Sequence, residues 1–306
     1  MLNLHRLRLL VELERRGRIS DVAQALSYSA SSVSQQLKLL ESEAGVPLLE
    51  PVGRGVRLTS AGQGLAQHAR QILAQVDRAE ADLAASRSEV AGDVRVGIFQ
   101  TATITLIPAV LELLSVRHPA LTLYVTEIQP DAGTASLLAR EFDLVLGEEY
   151  PGMAHPPPNE ITRTELFRDP LRIYIPEARE RSTERRLSSL ADADWIFEPT
   201  GKPARAWAEA VCRTAGFEPR VRFESADLLV HVHLVETGHA IALLPDLVWG
   251  SRTPTGRLLP LPGQQRRQVY SAVRAGAEAR PALIAIRDAF SDIADQRGLS
   301  PLDRGA

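Results

Sequence analysis

The chain is short of several residue types, and each shortage excludes a class of protein. Cys212 is the single cysteine among 306 residues, which excludes intramolecular disulfides and cysteine-based metal sites. Only Lys38 and Lys202 are lysines among 35 basic residues, which we attribute to base-composition bias in the source genome. The formal net charge of -3 excludes a protein that coats nucleic acid indiscriminately.

Long apolar runs and catalytic motifs are also missing from the sequence. Charges alternate with leucines over residues 1–18, so this segment is neither a signal peptide nor a membrane span, and we expect a cytoplasmic protein without a membrane partner. A nucleophile elbow, a phosphate loop and a zinc-protease helix are all absent, so we predict no catalytic residue and no cofactor. His231 and His233 alternate on a predicted helix and point about 200° apart, so we predict no metal site.

Residues 19–46 read as two short helices joined by a tight turn. Apolar residues of the second helix recur at Val33, Leu37, Leu40 and Ala44, spaced four, three and four, behind a natural N-cap at Ser29. The opposite face carries short polar side chains and one cation, namely Ser31, Ser32, Ser34, Gln35 and Lys38. Such groups suit base edges and phosphates in a DNA major groove, although an ordinary solvated face would show the same pattern.

The sequence predicts a small β-hairpin after this helix pair. Residues 53–55 form a turn, and residues 56–58 alternate as a short strand. Arg54 and Arg57 would then lie beside the second helix, as in a winged helix-turn-helix that presents arginines to the DNA backbone.

Residues 62–91 predict one long amphipathic helix. Its apolar stripe recurs at three and four residues, and comprises Leu65, Ala69, Ile72, Leu73, Val76, Ala79 and Leu83. The interpretation we favour is a linker helix that pairs with its copy in a second subunit, and the alternative is a helix packed on its own chain. A dimer would present two recognition helices about one DNA turn apart.

From residue 92 the pattern changes to alternating strands and helices. Two βαβαβ successions, separated by a proline-rich joint at 155–159, predict parallel sheets covered by helices and arranged as two lobes around a cleft. The division we predict is a DNA-binding domain at 1–61, a linker helix at 62–91 and a two-lobed domain at 92–306. Its first lobe would comprise about 92–162 and 267–306, and its second about 163–266.

The cleft of such a domain lies beyond the carboxyl ends of the strands, where helix N-termini present free amides. The residues at these positions are Gln100, Thr101, Thr103, Thr200, Gly201 and Ser225. Each of them is equally well explained as a helix cap alone. Glu148 and Glu149 follow a buried strand at the hinge, and if they face the cleft they favour a cationic or polyhydroxy ligand over a dicarboxylate.

Both parts of the sequence resemble LysR-type transcriptional regulators. The resemblance rests on these residues and runs: Leu4, Leu7, Leu10, Val11, 23–26, 29–41, 48–49 and 56–62, then 94–97, 117–119, 142–144, 215–219 and 238–245. Ala30, Gln35, Leu49 and Pro51 depart from the residues frequent in that family, so two potential DNA contacts are missing and the operator sequence is open.

The resemblance implies a winged helix-turn-helix joined by a long helix to an effector-binding domain of the type found in periplasmic solute-binding proteins. It implies an operator in double-stranded DNA, a small-molecule effector, a homodimer or homotetramer, and RNA polymerase as a further candidate partner. The predicted DNA contacts are Ser29, Ala30, Ser31, Ser32, Ser34, Gln35, Lys38, Arg54 and Arg57. The competing hypotheses are a solute-binding or enzymatic two-lobed domain with an incidental helical extension, and an architectural DNA binder with an empty cleft.

Overall fold

The computed structural model describes residues 1–26, 28–53, 55–87, 89–177 and 186–301. Within these ranges the α-helices are α1 (Leu4–Arg16), α2 (Ile19–Ala25), α3 (Ala30–Ala44), α4 (Ser60–Ala85), α5 (Gln100–Arg117), α6 (Gly133–Leu138), α7 (Pro203–Thr214), α8 (Leu228–Glu236) and α9 (Pro281–Gln296). The strands are β1 (Leu49–Val52), β2 (Gly55–Leu58), β3 (Gly92–Ile98), β4 (Leu121–Glu127), β5 (Leu144–Glu149), β6 (Ile161–Ile175), β7 (Asp194–Phe197), β8 (Arg220–Glu224), β9 (Ala242–Pro245), β10 (Arg257–Pro260), β11 (Arg266–Arg274) and β12 (Ser300–Pro301). Among the described helices, none is long and apolar enough to cross a bilayer.

The first three helices, the wing and the first turns of α4 enclose one core. Leu10, Val22 and Leu40 are each completely buried in it, and the apolar stripes of α1, α2 and α3 all face inward. Strands β1 and β2 pair antiparallel, with Leu49 opposite Leu58 and Val52 opposite Gly55. The predicted helix pair followed by a two-stranded wing is therefore present.

Helix α4 begins and ends earlier than the sequence predicted. Thr59 caps its start, since the Thr59 hydroxyl accepts from the backbone N–H of Gly62 at 3.0 Å. The helix ends at Ala85 and does not reach residue 91. Directly after Ala85, the Ser86 hydroxyl donates to the carbonyl of Leu83 at 2.8 Å. A serine that bonds to its own backbone competes with the helix, and this signal is weaker in a sequence than glycine or proline.

The main sheet mixes parallel and antiparallel strands. Its order is β10-β6-β11-β5-β3-β4, in which β3 runs parallel to β4 and β5, whereas β11 runs antiparallel to β5 and β6. The predicted parallel pairing is present for β3, β4 and β5 and for β7 and β8. It is wrong for the pairs that β6 and β11 make, which are antiparallel. Crossover helices α5 and α6 account for the parallel part, and the chain that returns from the second lobe supplies the antiparallel strands.

Two long strands connect the lobes. Strand β6 pairs with β11 at its first-lobe end and with β9 and β10 at its second-lobe end. Only residues 171–175 of β6 were predicted as strand, because Arg163, Glu165 and Pro170 interrupt its apolar pattern. Strands β7 and β8 form a separate parallel pair of the second lobe.

Candidate DNA-binding surface and interlobe cleft

Helix α3 presents a polar N-terminal surface next to the wing. The Ser29 hydroxyl accepts from the backbone N–H of Ser32 at 3.1 Å and lies 2.9 Å from the Ser31 hydroxyl. Ser29, Ala30, Ser31, Gln35 and Lys38 are exposed, and Ser32 and Ser34 are half-buried. Because Val33, Leu37 and Leu40 are buried on the other side, the predicted contacts of this helix share one accessible face.

The wing carries one predicted arginine among the described residues. Arg57 is exposed on β2, and its Nε donates to a carboxylate oxygen of Glu50 on β1 at 2.5 Å. This partner was not predicted from the sequence, although Glu50 and Arg57 are directly opposite each other in the hairpin register. Arg54, the other predicted wing contact, lies outside the described residues.

Two features hold the wing in place against α3 and α4. A Glu41 carboxylate oxygen accepts from the backbone N–H groups of Leu48 and Leu49 at 2.9 and 3.0 Å, which attaches β1 to the recognition helix. Gly62 lies so close to the carbonyl of Leu48 that a Cβ at this position would collide with it. The wing orientation thus depends on a glycine and a glutamate that the sequence analysis did not single out.

Helix α4 packs partly on its own chain. Ala66 and Ala69 are completely buried on the DNA-binding side. Further along, the buried carboxylate of Asp77 lies 2.8 Å from Arg140 and 3.5 Å from Arg274, both in the first lobe. These contacts fit the alternative of packing within one subunit for one face of the helix.

Another face of α4 is left uncovered. Ile72 is 38% exposed and Leu83 is 69% exposed, and Ala79 between them is also exposed. Their spacing of seven and four places them on one side of the helix. None of the described residues covers this apolar stripe, which is the feature that pairing with a second copy requires, and pairing itself stays a prediction.

The two lobes enclose a cavity of about 40 Å³. Its walls come from the residues after β3 and β4, the end of β5, the residue after β7, the start of α8 and the start of β11. Helix N-termini and carboxyl ends of strands therefore meet here, as expected for the crevice of an open α/β sheet.

Arg267 of β11 is at the centre of this cavity wall. Its side chain is 1% exposed. Its Nε donates to Asp169 at 2.9 Å, one terminal nitrogen donates to the Thr101 hydroxyl at 2.7 Å, and the other donates to the Glu148 carboxylate. The guanidinium also lies over the Phe99 ring, 5.0 Å from its centroid. Arg267 thus links β5, β6 and the start of α5, which are far apart in the sequence.

Burial and charge shift the titration of this group of residues. Burial raises the pKa of Asp169 to about 6, although Arg267 acts to lower it. Burial likewise raises the pKa of Glu148 against the influence of Arg267. Burial acts to lower the pKa of Arg267, but the carboxylates of Glu148 and Asp169 outweigh it, so that pKa lies above its ordinary value. The arginine therefore stays charged and holds both carboxylates.

Glu198 lines the same cavity without such a partner. Its pKa is raised to about 7, mainly by burial and further by the nearby charge of Glu148, while Arg267 and Lys202 act to lower it. Among the described residues, no donor is hydrogen-bonded to its carboxylate; only its backbone carbonyl accepts, from Arg205 at 3.1 Å.

Two polar bridges join the lobes across the cleft. The Gln100 amide donates to Asp227 at 2.9 Å and accepts from the backbone N–H of Leu228 at 3.1 Å. Lys202 of the second lobe lies 2.9 Å from Asp131 of the first. The cavity is accordingly closed by contacts that a hinge motion would break.

The structure brings some predicted cleft residues together and leaves others apart. Gln100, Thr101 and Glu148 line the cavity. The Thr103 hydroxyl donates back to the carbonyl of Phe99 at 3.1 Å, and the Ser225 hydroxyl accepts from the N–H of Asp227 at 3.1 Å. The remaining candidates, Thr200 and Gly201, are exposed residues outside the cavity lining.

Glu148 and Glu149 face different surroundings because successive residues of a strand point to opposite sides. Glu148 bonds to Arg267 in the cavity, whereas Glu149 lies 3.3 Å from Arg163 and accepts from the backbone N–H of His155 at 3.1 Å. Sequence reasoning missed Arg267 and Glu198. Glu198 directly follows β7, the same signal that identified Thr101, whereas nothing local marks Arg267 as buried.

Two family models match the two parts of the chain. Residues 4–63 match the model for bacterial regulatory helix-turn-helix proteins of the lysR family, and residues 87–294 match that for the LysR substrate binding domain. The chain belongs to the LysR family of transcriptional regulators. The predicted family, fold class and general function are thereby confirmed: it is a DNA-binding regulator of transcription with an effector-binding domain.

Individual relatives agree with this assignment. The chain is 31% identical over 267 residues to the regulator TfdS of Cupriavidus pinatubonensis, covering 83% of this chain and 86% of that one. It is 29% identical over 246 residues to the regulator ClcR of Pseudomonas putida, covering 79% and 82% of the two chains.

Solved structures share the fold over the full length. A full-length OxyR variant from Pseudomonas aeruginosa superposes with a TM-score of 0.69 at 21% identity, covering 100% of this chain and 99% of that one. Full-length CbnR in complex with its target DNA gives a TM-score of 0.55 at 21% identity, covering 96% and 100%. The arrangement of a winged helix-turn-helix, a long helix and two lobes is therefore that of known LysR-type regulators.

Proposed function

We propose that this regulator binds an interrupted palindromic operator as a homodimer or homotetramer, and that a small molecule bound between the lobes changes this binding. The observation that carries the proposal is the combination of the accessible polar face of α3 with a closed, charge-lined cavity in one chain. We assign the effector contacts to Gln100, Thr101, Glu148, Glu198 and Arg267. The DNA contacts are assigned to the polar face of α3 and the wing, namely Ser29, Ala30, Ser31, Ser32, Ser34, Gln35, Lys38, Arg54 and Arg57. The site of action would be the cytoplasm, with RNA polymerase as a further partner.

The structure suggests how the two sites communicate. Asp77 of α4 holds Arg140 and Arg274 of the first lobe, and Arg8 of α1 donates to the first-lobe carbonyl of Ala139. Any change in lobe orientation would therefore move the surface on which α1 and α4 rest. In a dimer this would alter the spacing or tilt of the two recognition helices, and thereby operator affinity or bend, without a covalent step.

The uncovered stripe at Ile72, Ala79 and Leu83 supports pairing through α4. Two copies would place their α3 helices in successive major grooves, about one helical turn apart. The corresponding domains would be the DNA-binding domain at residues 1–61, the linker helix at 62–91 and the two-lobed domain at 92–306.

Genome-wide selection of DNA fragments by the purified protein tests the proposal. We expect a recurrent interrupted palindrome whose affinity falls steeply with salt, because phosphate contacts release counterions. Salt-sensitive binding without sequence preference would instead favour an architectural DNA binder. No DNA binding at all, together with turnover of a metabolite by the protein, would favour the enzymatic alternative.

A further inference from the structure

The charges around the cavity indicate the chemistry of its ligand. Two cations, Arg267 and Lys202, act on Glu198 from the surrounding elements, as do two carboxylates, Glu148 and Asp131. Asp169 adds a further carboxylate on the far side of Arg267. Including Glu198, four carboxylates and two cations surround the cavity, so negative charge is in excess there.

Both cations are already engaged. The three nitrogen donors of Arg267 bond to Asp169, Glu148 and Thr101. Lys202 is bonded to Asp131 at 2.9 Å. An anionic ligand entering this cavity would meet both cations with their charge already offset, in competition with Asp131, Asp169 and Glu148.

One carboxylate in the cavity lining, that of Glu198, is available to accept from a ligand. Among the described residues no side chain is hydrogen-bonded to or ion-paired with the Glu198 carboxylate, which lines the cavity together with the Glu148 carboxylate that Arg267 holds. Phe99, Ile128 and Pro130 supply apolar wall on the same cavity, so a short carbon skeleton has a surface to contact. The cavity of about 40 Å³ is far smaller than an ordinary small-molecule site, so an organic ligand would enter only as the lobes part and the Gln100–Asp227 and Lys202–Asp131 contacts break.

We infer that the effector is a small organic cation, with an ammonium or guanidinium group bound by the Glu198 carboxylate and a short apolar part against Phe99, Ile128 and Pro130. The inference rests on the proposed function of the cleft and adds the ligand class. In this assignment Glu148 and Arg267 hold the cavity wall in position, and Glu198 makes the charged contact.

The inference carries a pH dependence with a definite sign. A cation binds the ionised form of Glu198, whose pKa is raised to about 7 by burial and by Glu148. The carboxylate is largely protonated at pH 6 and largely ionised at pH 8, so the affinity for a permanently charged cation should rise about tenfold between them. Glu148, Asp131, Lys202 and Arg267 are the charged groups that act on it, and the Tyr150 phenol is a further titratable group that interacts with it.

Isothermal titration calorimetry of the full chain with two matched sets of probes tests the inference. The cations are putrescine, cadaverine and agmatine, and the anions of similar length are succinate and glutarate. We expect at least one cation to bind more than tenfold tighter than either anion, and to bind tighter at pH 8 than at pH 6. Glu198→Gln should weaken this binding at least tenfold, while Glu198→Asp, which keeps the charge, should retain part of it.

Glu165→Gln is the matched control, since Glu165 is an exposed glutamate of β6 outside the cavity lining. It should leave cation affinity unchanged, and thermal unfolding of each variant verifies that it is folded. Tighter binding of an anion, equal binding by the Glu198→Gln and Glu165→Gln proteins, or no binding by any cation at millimolar concentration would each overturn the inference.

A gel-shift titration with the selected operator separates this inference from the proposed function. If an anion, but no cation, changes operator affinity, the ligand class is wrong and the sensor function stands. If a cation binds in the cleft through Glu198 yet never changes operator binding, the ligand class stands and the sensor function fails.

Discussion

The face of α3 and the interlobe cleft use polar side chains in opposite ways. On α3 the polar groups are exposed and short, and the residues that position them are apolar and buried beneath. In the cleft the polar groups are themselves the buried framework, since Arg267 holds Glu148, Asp169 and Thr101 together. Substitutions on α3 should therefore change recognition and spare stability, whereas substitutions in the cleft should change both.

The largest expected effect comes from removing the central cation of the cleft. Arg267→Met leaves Glu148 and Asp169 buried without their partner, and we expect it to lower the free energy of unfolding by about 3–5 kcal/mol. The matched control is Arg117→Met, because Arg117 is about half exposed and pairs with Asp292 at 2.5 Å on the surface. That control should change stability by less than about 1 kcal/mol. Urea unfolding followed by circular dichroism measures both, and similar losses in the two variants would show that burial of the network does not matter.

The next largest effect distinguishes two glycines of α4. A Cβ at Gly62 would collide with the carbonyl of Leu48, whereas Gly64 has open space around its Cα. We expect Gly62→Ala to destabilise the wing by about 1–3 kcal/mol and to weaken operator binding. Gly64→Ala should instead stabilise the helix by up to about 1 kcal/mol. Thermal unfolding and operator gel shifts measure the two effects, and equal stability of the variants would refute the close approach of α4 to the wing.

Features that depend on a local pattern were predicted correctly from the sequence. Periodicity placed α3, its buried stripe of Val33, Leu37 and Leu40 and its polar face correctly, because a helix on a small core follows a local pattern. The position of residues beyond β3 predicted Gln100 and Thr101 at the cleft, because strand ends converge in an open sheet. Both inferences rest on relations within one helix or one strand-helix unit.

The features that sequence reasoning missed depend on contacts between distant segments. Arg267 is recognised as buried only when β6 and β11 are paired, since its partners lie 98 and 119 residues away. Gly62 differs from Gly64 only through its approach to Leu48. Likewise, the mixed direction of the main sheet follows from the return of the chain along β11, which no local pattern records.

The Glu198 carboxylate of the cleft should make the free energy of unfolding depend on pH. Its pKa is raised from 4.5 to about 7, so between these values the folded chain keeps a proton that the unfolded chain has released. Stability therefore falls as pH rises through this range, and the penalty is complete above about pH 7. We expect Glu198→Gln to match the wild type near pH 4.5 and to exceed it by about 1–3 kcal/mol at pH 8.

Melting temperatures of both proteins from pH 4.5 to pH 8 measure this difference. Glu165→Gln provides the control and should follow the wild-type curve, because Glu165 is exposed. A Glu198→Gln protein that parallels the wild type over the whole range would show that Glu198 is solvated or paired in solution. That result would also remove the basis for a cationic ligand.

The smallest expected effects separate two side chains on the recognition face. Gln35 and Lys38 are both exposed on α3, about one turn apart, and neither contributes to the buried core. An amide can bond to a base edge, so we expect Gln35→Ala to reduce discrimination between operator and random DNA by about 1 kcal/mol or more. A lysine bonds to phosphate, so Lys38→Ala should weaken binding to both DNAs alike and lower the salt slope by about one.

Binding titrations at several salt concentrations, with operator and random fragments, distinguish the two roles. Neither variant should lower the melting temperature, because both side chains end in solvent. Identical behaviour of the two variants on both DNAs would refute the division between base and phosphate contacts. A loss of stability in either variant would instead mean that polar side chains of α3 support the fold, as Arg267 does in the cleft. The two surfaces would then not differ in how they use polar groups.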